Sequence, residues 1–337
     1  MLKTFEQFIN EKFEKGSKIP QLQILWTGSI GLTDKKDKFT KEANNHLYDK
    51  YIHLVCLGAD KDNPNKYETE KDIPENRKGK VNYDEPILSF CGSSDTKFLK
   101  HPDAKVFNKP EHCVISGDKL LFSKKFENED FIPKTVYDLK DIEQLQLPII
   151  AKPKHGLSAK GIEKFDTYED ARKSKLEFDI WCECKDVERE FRAFVMDGKI
   201  IQIVERITNM ENDMSVGKKK PNEKIDLIYL DQKMENFPYM DKFNKMLKAL
   251  DPVLKIDFYC IDVIVDKNKD VWCPETNTSP GISPSSFYPI YKAWLKLAYN
   301  KEIDKASDDE LRKISEDTVA AMKRDYPKEY KYSLHPK

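Results

Sequence analysis

Asp197-Gly198 constrains the topology of this chain more than any other pair of residues. It stands between two strand-like runs in "EFRAFVMDGKIIQIVERI", and an Asp-Gly pair accepts the positive φ angles that a tight two-residue turn requires. The flanking runs must therefore fold back as antiparallel neighbours. A second hairpin follows in "FYCIDVIVDKNKDVWCPETN", with its turn expected at Asn268-Lys269. Between the two hairpins lies "YMDKFNKMLKAL", whose apolar residues recur at helical spacing.

The rest of the chain interleaves strands and helices. Residues 19–115 mix strand-like runs ("LQILWTG", "YIHLVCLGA", "PILSFCG") with lysine-rich loops, and 60–86 reads as a long surface loop. Farther on, "LPIIAKP" reads as a buried strand, "DTYEDARKSKL" as a short capped helix and "EFDIWCECK" as another strand. "SFYPIYKAWLKLAY" and "DDELRKISEDTVAAMKRDY" close the chain as helices. The class is α/β or α+β with several antiparallel hairpins, and no internal repeat is visible.

With 337 residues, two or three subdomains are expected. Lys+Arg (58) and Asp+Glu (59) nearly cancel, so no global field points to nucleic acid or membrane. No run approaches the 18 or so apolar residues of a membrane span. The N-terminal "MLKTFEQFINEKFEKGSK" carries acids at an amphipathic spacing and reads as a helix, not a signal peptide. The seven cysteines are odd in number and scattered, several of them in apolar runs. That usage suits reduced, buried thiols and a cytoplasmic location. "CEC" at 182–184 lacks a partner pair at zinc spacing.

A turn at Asn268-Lys269 sets Asp262 directly opposite Glu275. Strand side chains alternate, so Glu275 and Asn277 share a face, and that face then carries two carboxylates and an amide. Carboxylates that close repel unless a cation intervenes. The three hard oxygen donors suit Mg²⁺, which keeps waters and grips nucleotide phosphates. The plainer alternative is an ordinary solvent-facing hairpin. Against it, "FYCIDVIV" is apolar nearly throughout, which would half-bury Asp262 without a partner.

"IIAKPKHGLSAKGI" places Lys152 at the end of an apolar strand, before a loop holding Gly156, Ser158 and Gly161. A lysine there reaches a nucleotide phosphate, and the loop amides can close over a triphosphate. By itself this pattern is equally a polar turn after a strand. "GSIG" after the first strand reads as a tight turn rather than a phosphate loop.

Taken in order, these pieces resemble the ATP-grasp superfamily over about residues 116–300. "GDKLLF…FIPKT" looks like its entry motif, and "IIAKP…SAKGI" like its lysine strand and phosphate flap. "WCECKDVEREFR" resembles its adenine hinge, and Asp262, Glu275-x-Asn277 its Mg-binding set. The resemblance implies the ATP-grasp fold: an N-terminal α/β substrate domain (1–116), a small lid subdomain (117–186) and a C-terminal catalytic subdomain (187–337). It implies that Lys119, Lys152, His155, Gly156, Ser158 and Lys160 surround the nucleotide. Glu183 and the backbone around Cys184 would read the adenine, and Glu190 the ribose. Asp262, Glu275 and Asn277 would hold two Mg²⁺ ions, with Mn²⁺ as a substitute. Arg206, supported by Arg192, would face the transferred phosphate; the alternative for both is a surface ion pair. Gly281, Ser285 and Ser286, in "NTSPGISPSSFYP", would bind the acceptor carboxylate.

The expected activity is an ATP-dependent carboxylate–amine ligase working through an acyl phosphate on an amino acid, peptide or peptide-like metabolite. A kinase acting on a hydroxyl, or a nucleotide binder without turnover, is the alternative. No membrane partner is expected, a homodimer is compatible, and only "GKKKP" (217–221) hints at nucleic acid. Departures limit the resemblance. D-alanine ligases place an arginine where Cys260 stands, and their N-terminal His-Gly signature is missing. Lys160 replaces a small residue, and Gly156 comes one place early. "EFR…ER" leans toward glutathione-synthetase-like or ribosomal-protein-glutamate-ligase-like members. A regular Asp197-Gly198 turn also puts Arg206 on the opposite face from Glu190 and Arg192, so a bulge or longer turn is required if all three serve one site.

Overall fold

The computed structural model describes residues 22–27, 52–57, 84–90, 105–155, 161–208, 225–229, 236–280 and 284–300, with isolated positions at 234, 308, 309, 312, 313, 316, 317, 320 and 324. The N-terminal helix, "GSIG", most of the 60–86 loop and the basic stretch 217–221 lie outside the described residues. The chain divides into two units, Met1–Pro110 with Gly281–Tyr330, and Glu111–Pro280 with Lys331–Lys337.

In the first unit, β1 (Leu22–Thr27), β2 (Ile52–Leu57), β3 (Ile87–Ser89) and β4 (Val106–Phe107) form a parallel sheet in the order β2-β1-β3-β4. Continuous apolar runs suit strands of a parallel sheet, whose two faces are usually both covered. The helix Pro284–Tyr299, α5, belongs to the same unit. Its Trp294 is wholly buried and meets Phe107 edge-on, 5.1 Å between ring centres.

The second unit holds two sheets. The smaller joins β5 (Thr135–Val136), β6 (Ile149–Lys152), β7 (Glu163–Phe165) and β8 (Ile180–Glu183) in the order β5-β8-β6-β7, all antiparallel. Its core gathers Ile142, Leu145, Ile149, Phe165 and Trp181. Helix α3 (Tyr168–Lys173) starts where expected, because the Thr167 hydroxyl accepts the Asp170 amide at 3.1 Å. Two helices precede this sheet: α1 (Pro110–Gly117) and α2 (Lys119–Lys125).

The larger sheet has the order β11-β10-β9-β12-β13, from β9 (Val187–Met196), β10 (Lys199–Thr208), β11 (Ile225–Tyr229), β12 (Phe258–Asp266) and β13 (Val271–Asn277). One face is apolar: Phe191, Ala193 and Val195 of β9 join Tyr259, Ile261, Val263 and Val265 of β12. These pack on Phe243, Met246, Leu247, Leu250 and Leu254 of α4 (Met240–Leu254). Each Val, Leu, Ile, Phe or Met side chain among them contributes about 1.5–3 kcal/mol of transfer free energy when wholly buried. Alternation then sends Glu190, Arg192 and Asp262 to the opposite face.

Both hairpins carry a β-bulge between turn and site. In the first, Asp197 (φ 51°) and Gly198 (φ 64°) form the expected two-residue turn, with Met196 opposite Lys199. The register then slips between Ile200 and Gln202, so that Arg206 pairs with Glu190. This bulge is the irregularity that Arg206 requires to share a face with Glu190 and Arg192. In the second hairpin the turn differs from the expectation. It is a three-residue loop, Lys267–Lys269, closed by Asp266 N–H to Asp270 O at 3.0 Å, with Lys269 left-handed at φ 67°. Asp266 organises the loop by accepting the Asn268 and Asp270 amides at 2.9 Å each. A bulge between Asp262 and Ile264 then offsets the longer loop, and Asp262 still lies opposite Glu275. Pro274 falls within this bulge on an edge strand, where a residue without an N–H costs no ladder bond.

Candidate active site

The charged face of the larger sheet is built in ranks. Glu275, Asp262 and Arg192 are direct register partners across β13, β12 and β9, and Arg206 and Glu190 are partners one rank away. Arg192 grips Asp262 through two bonds, Nε to Oδ1 at 2.7 Å and a terminal nitrogen to Oδ2 at 2.9 Å. Both side chains are largely buried. Burial alone would loosen the proton on Arg192, but the charge and hydrogen bonds of Asp262 and the charge of Glu190 outweigh it and its pKa is raised. Arg206 pairs with Glu190 on the same face. Both arginines are thus ion-paired, but at 17% exposure each side chain lies well below the surface ion pair named as the alternative.

Lys119 reaches this face from outside the sheet. It is the first residue of α2, fixed there because the Asp118 carboxylate caps the helix, accepting the Leu120 and Leu121 amides at 2.9 and 3.0 Å. Its ammonium lies 3.1 Å from Glu275 Oε2. Asn277 shares the Glu275 face, and its Oδ1 accepts the Ser279 amide at 2.8 Å. Cys260, opposite Asn277, is wholly buried, and burial holds its thiol well above the ordinary range, so it stays neutral.

Lys152 ends β6 and, with Lys119, lines an open cleft. The floor and walls come from Ile132 and Pro133 before β5, Ile180 and Cys182 on β8, and Cys273 and Pro274 on β13. Apolar walls with two ammonium groups suit a flat base carrying phosphates. Of these wall residues the sequence assigns only the lysines to the nucleotide; the alternation in "DIWCE" is the signal that points Ile180 and Cys182 the same way. His155 is exposed, its Nε2 3.9 Å from Asp118.

At the hinge, Glu183 is held by Lys185 at 2.8 Å and accepts the Gln146 amide at 3.3 Å. The Lys185 ammonium also sits 3.8 Å above the Trp272 ring, a contact the sequence reading missed. The Cys184 amide donates to Pro148 O at 2.9 Å, so that N–H is engaged within the small sheet. Gly156, Ser158, Lys160 and Gly281 lie outside the described residues. Ser285 and Ser286 sit in the first turn of α5, in the other unit, with Ser286 buried.

Asp262, Glu275 and Asn277 supply three oxygen donors on one face, which fits Mg²⁺ chemically. Each is engaged by a positive or N–H partner, from Arg192, Lys119 and Ser279 respectively. Positive charge is thus already stabilised at this spot, and an arriving ion would displace or share those partners. Among the described residues no group of three or more His, Cys, Asp or Glu side chains is gathered for a metal.

No protein-family model matches the chain. The chain is 26% identical over 169 residues to D-alanine--D-alanine ligase of Hydrogenovibrio crunogenus, covering 48% of this chain and 53% of that protein. It spans about half the length of the curated relatives it matches. Structural similarity reaches further. A D-alanine--D-alanine ligase from Bacillus anthracis superposes with a TM-score of 0.54 at 16% identity, covering 91% of this chain and 99% of that one. N5-carboxyaminoimidazole synthetase from Staphylococcus aureus, complexed with ADP, gives 0.57 at 12% identity, covering 85% and 79%. The chain has the ATP-grasp fold. The cleft opens between the two sheets of the second unit. No helix among the described residues is long and apolar enough to cross a membrane.

Proposed function

We propose that the chain is an ATP-dependent carboxylate–amine ligase that works through an acyl phosphate. The observation that carries the reading is the rank Glu275–Asp262–Arg192, flanked by Lys119 and by the Arg206–Glu190 pair. A face that gathers acids and cations in alternation suits a polyphosphate and its counter-ions, since each phosphate oxygen can replace a carboxylate at a cation.

In this reading ATP lies in the cleft, its phosphates directed by Lys119 and Lys152 and by the flap residues His155, Gly156, Ser158 and Lys160. Glu183 accepts from the adenine amino group, and Glu190 from the ribose. Mg²⁺, held by Asp262, Glu275 and Asn277, supplies charge neutralisation on the phosphates. A substrate carboxylate oxygen bonds to the γ-phosphorus while the bond from that phosphorus to the β–γ bridging oxygen breaks, releasing ADP. Arg206 and Arg192 stabilise the charge on the transferred group. The amine then attacks the acyl carbon, phosphate leaves with its electron pair, and the nitrogen loses a proton. Gly281, Ser285 and Ser286 would hold the acceptor carboxylate.

The similarity to D-alanine--D-alanine ligases supports an amino acid or peptide substrate, while the neutral, buried Cys260 argues for an acceptor unlike theirs. The test is an ADP-release screen over pairs of amino acids and short peptides, D-alanine included, with mass spectrometry of products. ADP release that requires both a carboxylate and an amine is expected. Release with a hydroxyl compound alone would identify a kinase, and none with any pair a nucleotide binder.

A further inference from the structure

The segment 116–119 grips β13 from both of its faces. On the charged face Lys119 meets Glu275 at 3.1 Å. On the opposite face the Ser116 and Thr276 hydroxyls lie 2.7 Å apart and share one hydrogen bond, although 160 residues separate them. Both hydroxyls are buried, Thr276 at 4% exposure and Ser116 at 9%. Thr276 is the residue between Glu275 and Asn277, so alternation sends it inward as they point outward.

β13 needs such a hold. It is the edge strand of its sheet, and the bulge at Pro274 interrupts its ladder to β12 just before Glu275. On its free edge the Cys273 amide donates to Phe131 O at 2.8 Å. Beyond that point β13 is laddered on one side only, through the pairs Asp262–Glu275, Ile261–Thr276 and Cys260–Asn277, and any rotation about its axis moves Glu275 and Asn277 together. A hydrogen bond made by the residue between them opposes that rotation directly. Ser116 in turn stands two residues before the Asp118 cap that fixes Lys119.

We propose that Ser116 and Thr276 are a positioning pair, setting the rotation of β13 at which Glu275 and Asn277 take a divalent cation and at which Lys119 stands beside them. The inference rests on the reading of Glu275 and Asn277 as cation ligands. Neither hydroxyl touches the cation or the nucleotide.

The probe is Mn²⁺, titrated by electron paramagnetic resonance into the full-length protein with and without ATP, alongside ATP binding in the presence of a chelator. Thr276→Val keeps the shape and deletes the bond. It is expected to weaken Mn²⁺ binding about tenfold, the scale seen when a group that orients metal ligands is lost, and to leave chelator-bound ATP affinity within twofold. Thr276→Ser restores the hydroxyl and is expected to recover most of the loss. Ser116→Ala should reproduce Thr276→Val and serves in its place if the valine variant does not fold. A purely structural role would lower thermal stability in both while leaving Mn²⁺ affinity at the wild-type value, and that result overturns the proposal. Glu275→Gln separates the two readings. If wild type binds no Mn²⁺ even with ATP, or Glu275→Gln binds it equally well, the ligand assignment fails and the positioning role with it. If Glu275→Gln loses Mn²⁺ while Thr276→Val does not, only the positioning role fails.

Discussion

Arg192 and Asp262 meet fork to fork across β9 and β12, with two nearly equal bonds of 2.7 and 2.9 Å between groups that are both mostly withdrawn from water. Such a pair adds little against a well-packed apolar replacement, yet losing one member strands a buried charge. Arg192→Met should therefore cost about 3–5 kcal/mol of unfolding free energy. The double variant Arg192→Met/Asp262→Leu should recover much of it. Urea titrations of the three proteins check this, and a fully additive double variant would refute it.

Glu275 lies nearer to water than Asp262, and its pair with Lys119 is half open. An ion pair of that kind contributes only about 0–1 kcal/mol. Glu275→Gln should leave unfolding by urea almost unchanged while abolishing Mg-ATP-dependent ADP release. Full turnover in this variant would mean that the proposed active site is misplaced.

Gly198 adopts φ +64° in the first hairpin turn, and a Cβ there would lie 2.9 Å from Asp251 Oδ2. The carboxylate can swing aside, but the left-handed backbone remains strained for a side chain. Gly198→Ala should lose about 1–2 kcal/mol, read as a fall in the denaturation midpoint, and Gly198→Asn should lose less because Asn tolerates that backbone.

Asp251 sits in the last turn of α4 with its carboxyl pKa raised, first by burial and then by Asp197 and Asp257, against the opposing bond from Tyr259. An acid that holds its proton more tightly when folded favours the folded state in its protonated form. Its contribution is fully present below the unfolded carboxylate range and is lost as pH rises through the folded pKa. Asp251→Asn should therefore raise stability above about pH 5 and show no gain below about pH 3.5. Removing a negative charge from a helix C-terminus acts in the same direction, by about 0.3–1 kcal/mol. Thermal melts of both proteins across that range test it, and a gain that grows as pH falls would contradict the sign.

The hairpins, α4 and the Asp262–Glu275 opposition were legible because each rests on local signals: an Asp-Gly turn, a helical period, strand alternation. The opposition held although the loop at 267–269 is one residue longer than read, because a bulge cancels the difference. A bulge leaves little trace in one sequence, and Pro274 was its only mark. The engagement of the Cys184 amide by Pro148, the Lys185–Trp272 contact and the Ser116–Thr276 bond join residues 36, 87 and 160 positions apart. No period or spacing encodes such meetings; they arise only once the sheets have formed.

A strand counts in twos, and each hairpin here changes its count once, at Ile201 and at Cys273–Pro274. The parity of the site is therefore set locally, close to the charged ranks, and is independent of what happens at the far turns. Residues may be gained or lost at 197–198 or 267–269 without moving a single site side chain to the other face. Flattening either bulge with every residue kept would exchange the faces beyond it, carrying Arg206 or Glu275 toward the helix-packed side, whereas deleting the extra residue leaves the pairs Arg206–Glu190 and Asp262–Glu275 in register. Loss of a single residue should thus be tolerated at the visible turns and also at two places that look like ordinary strand.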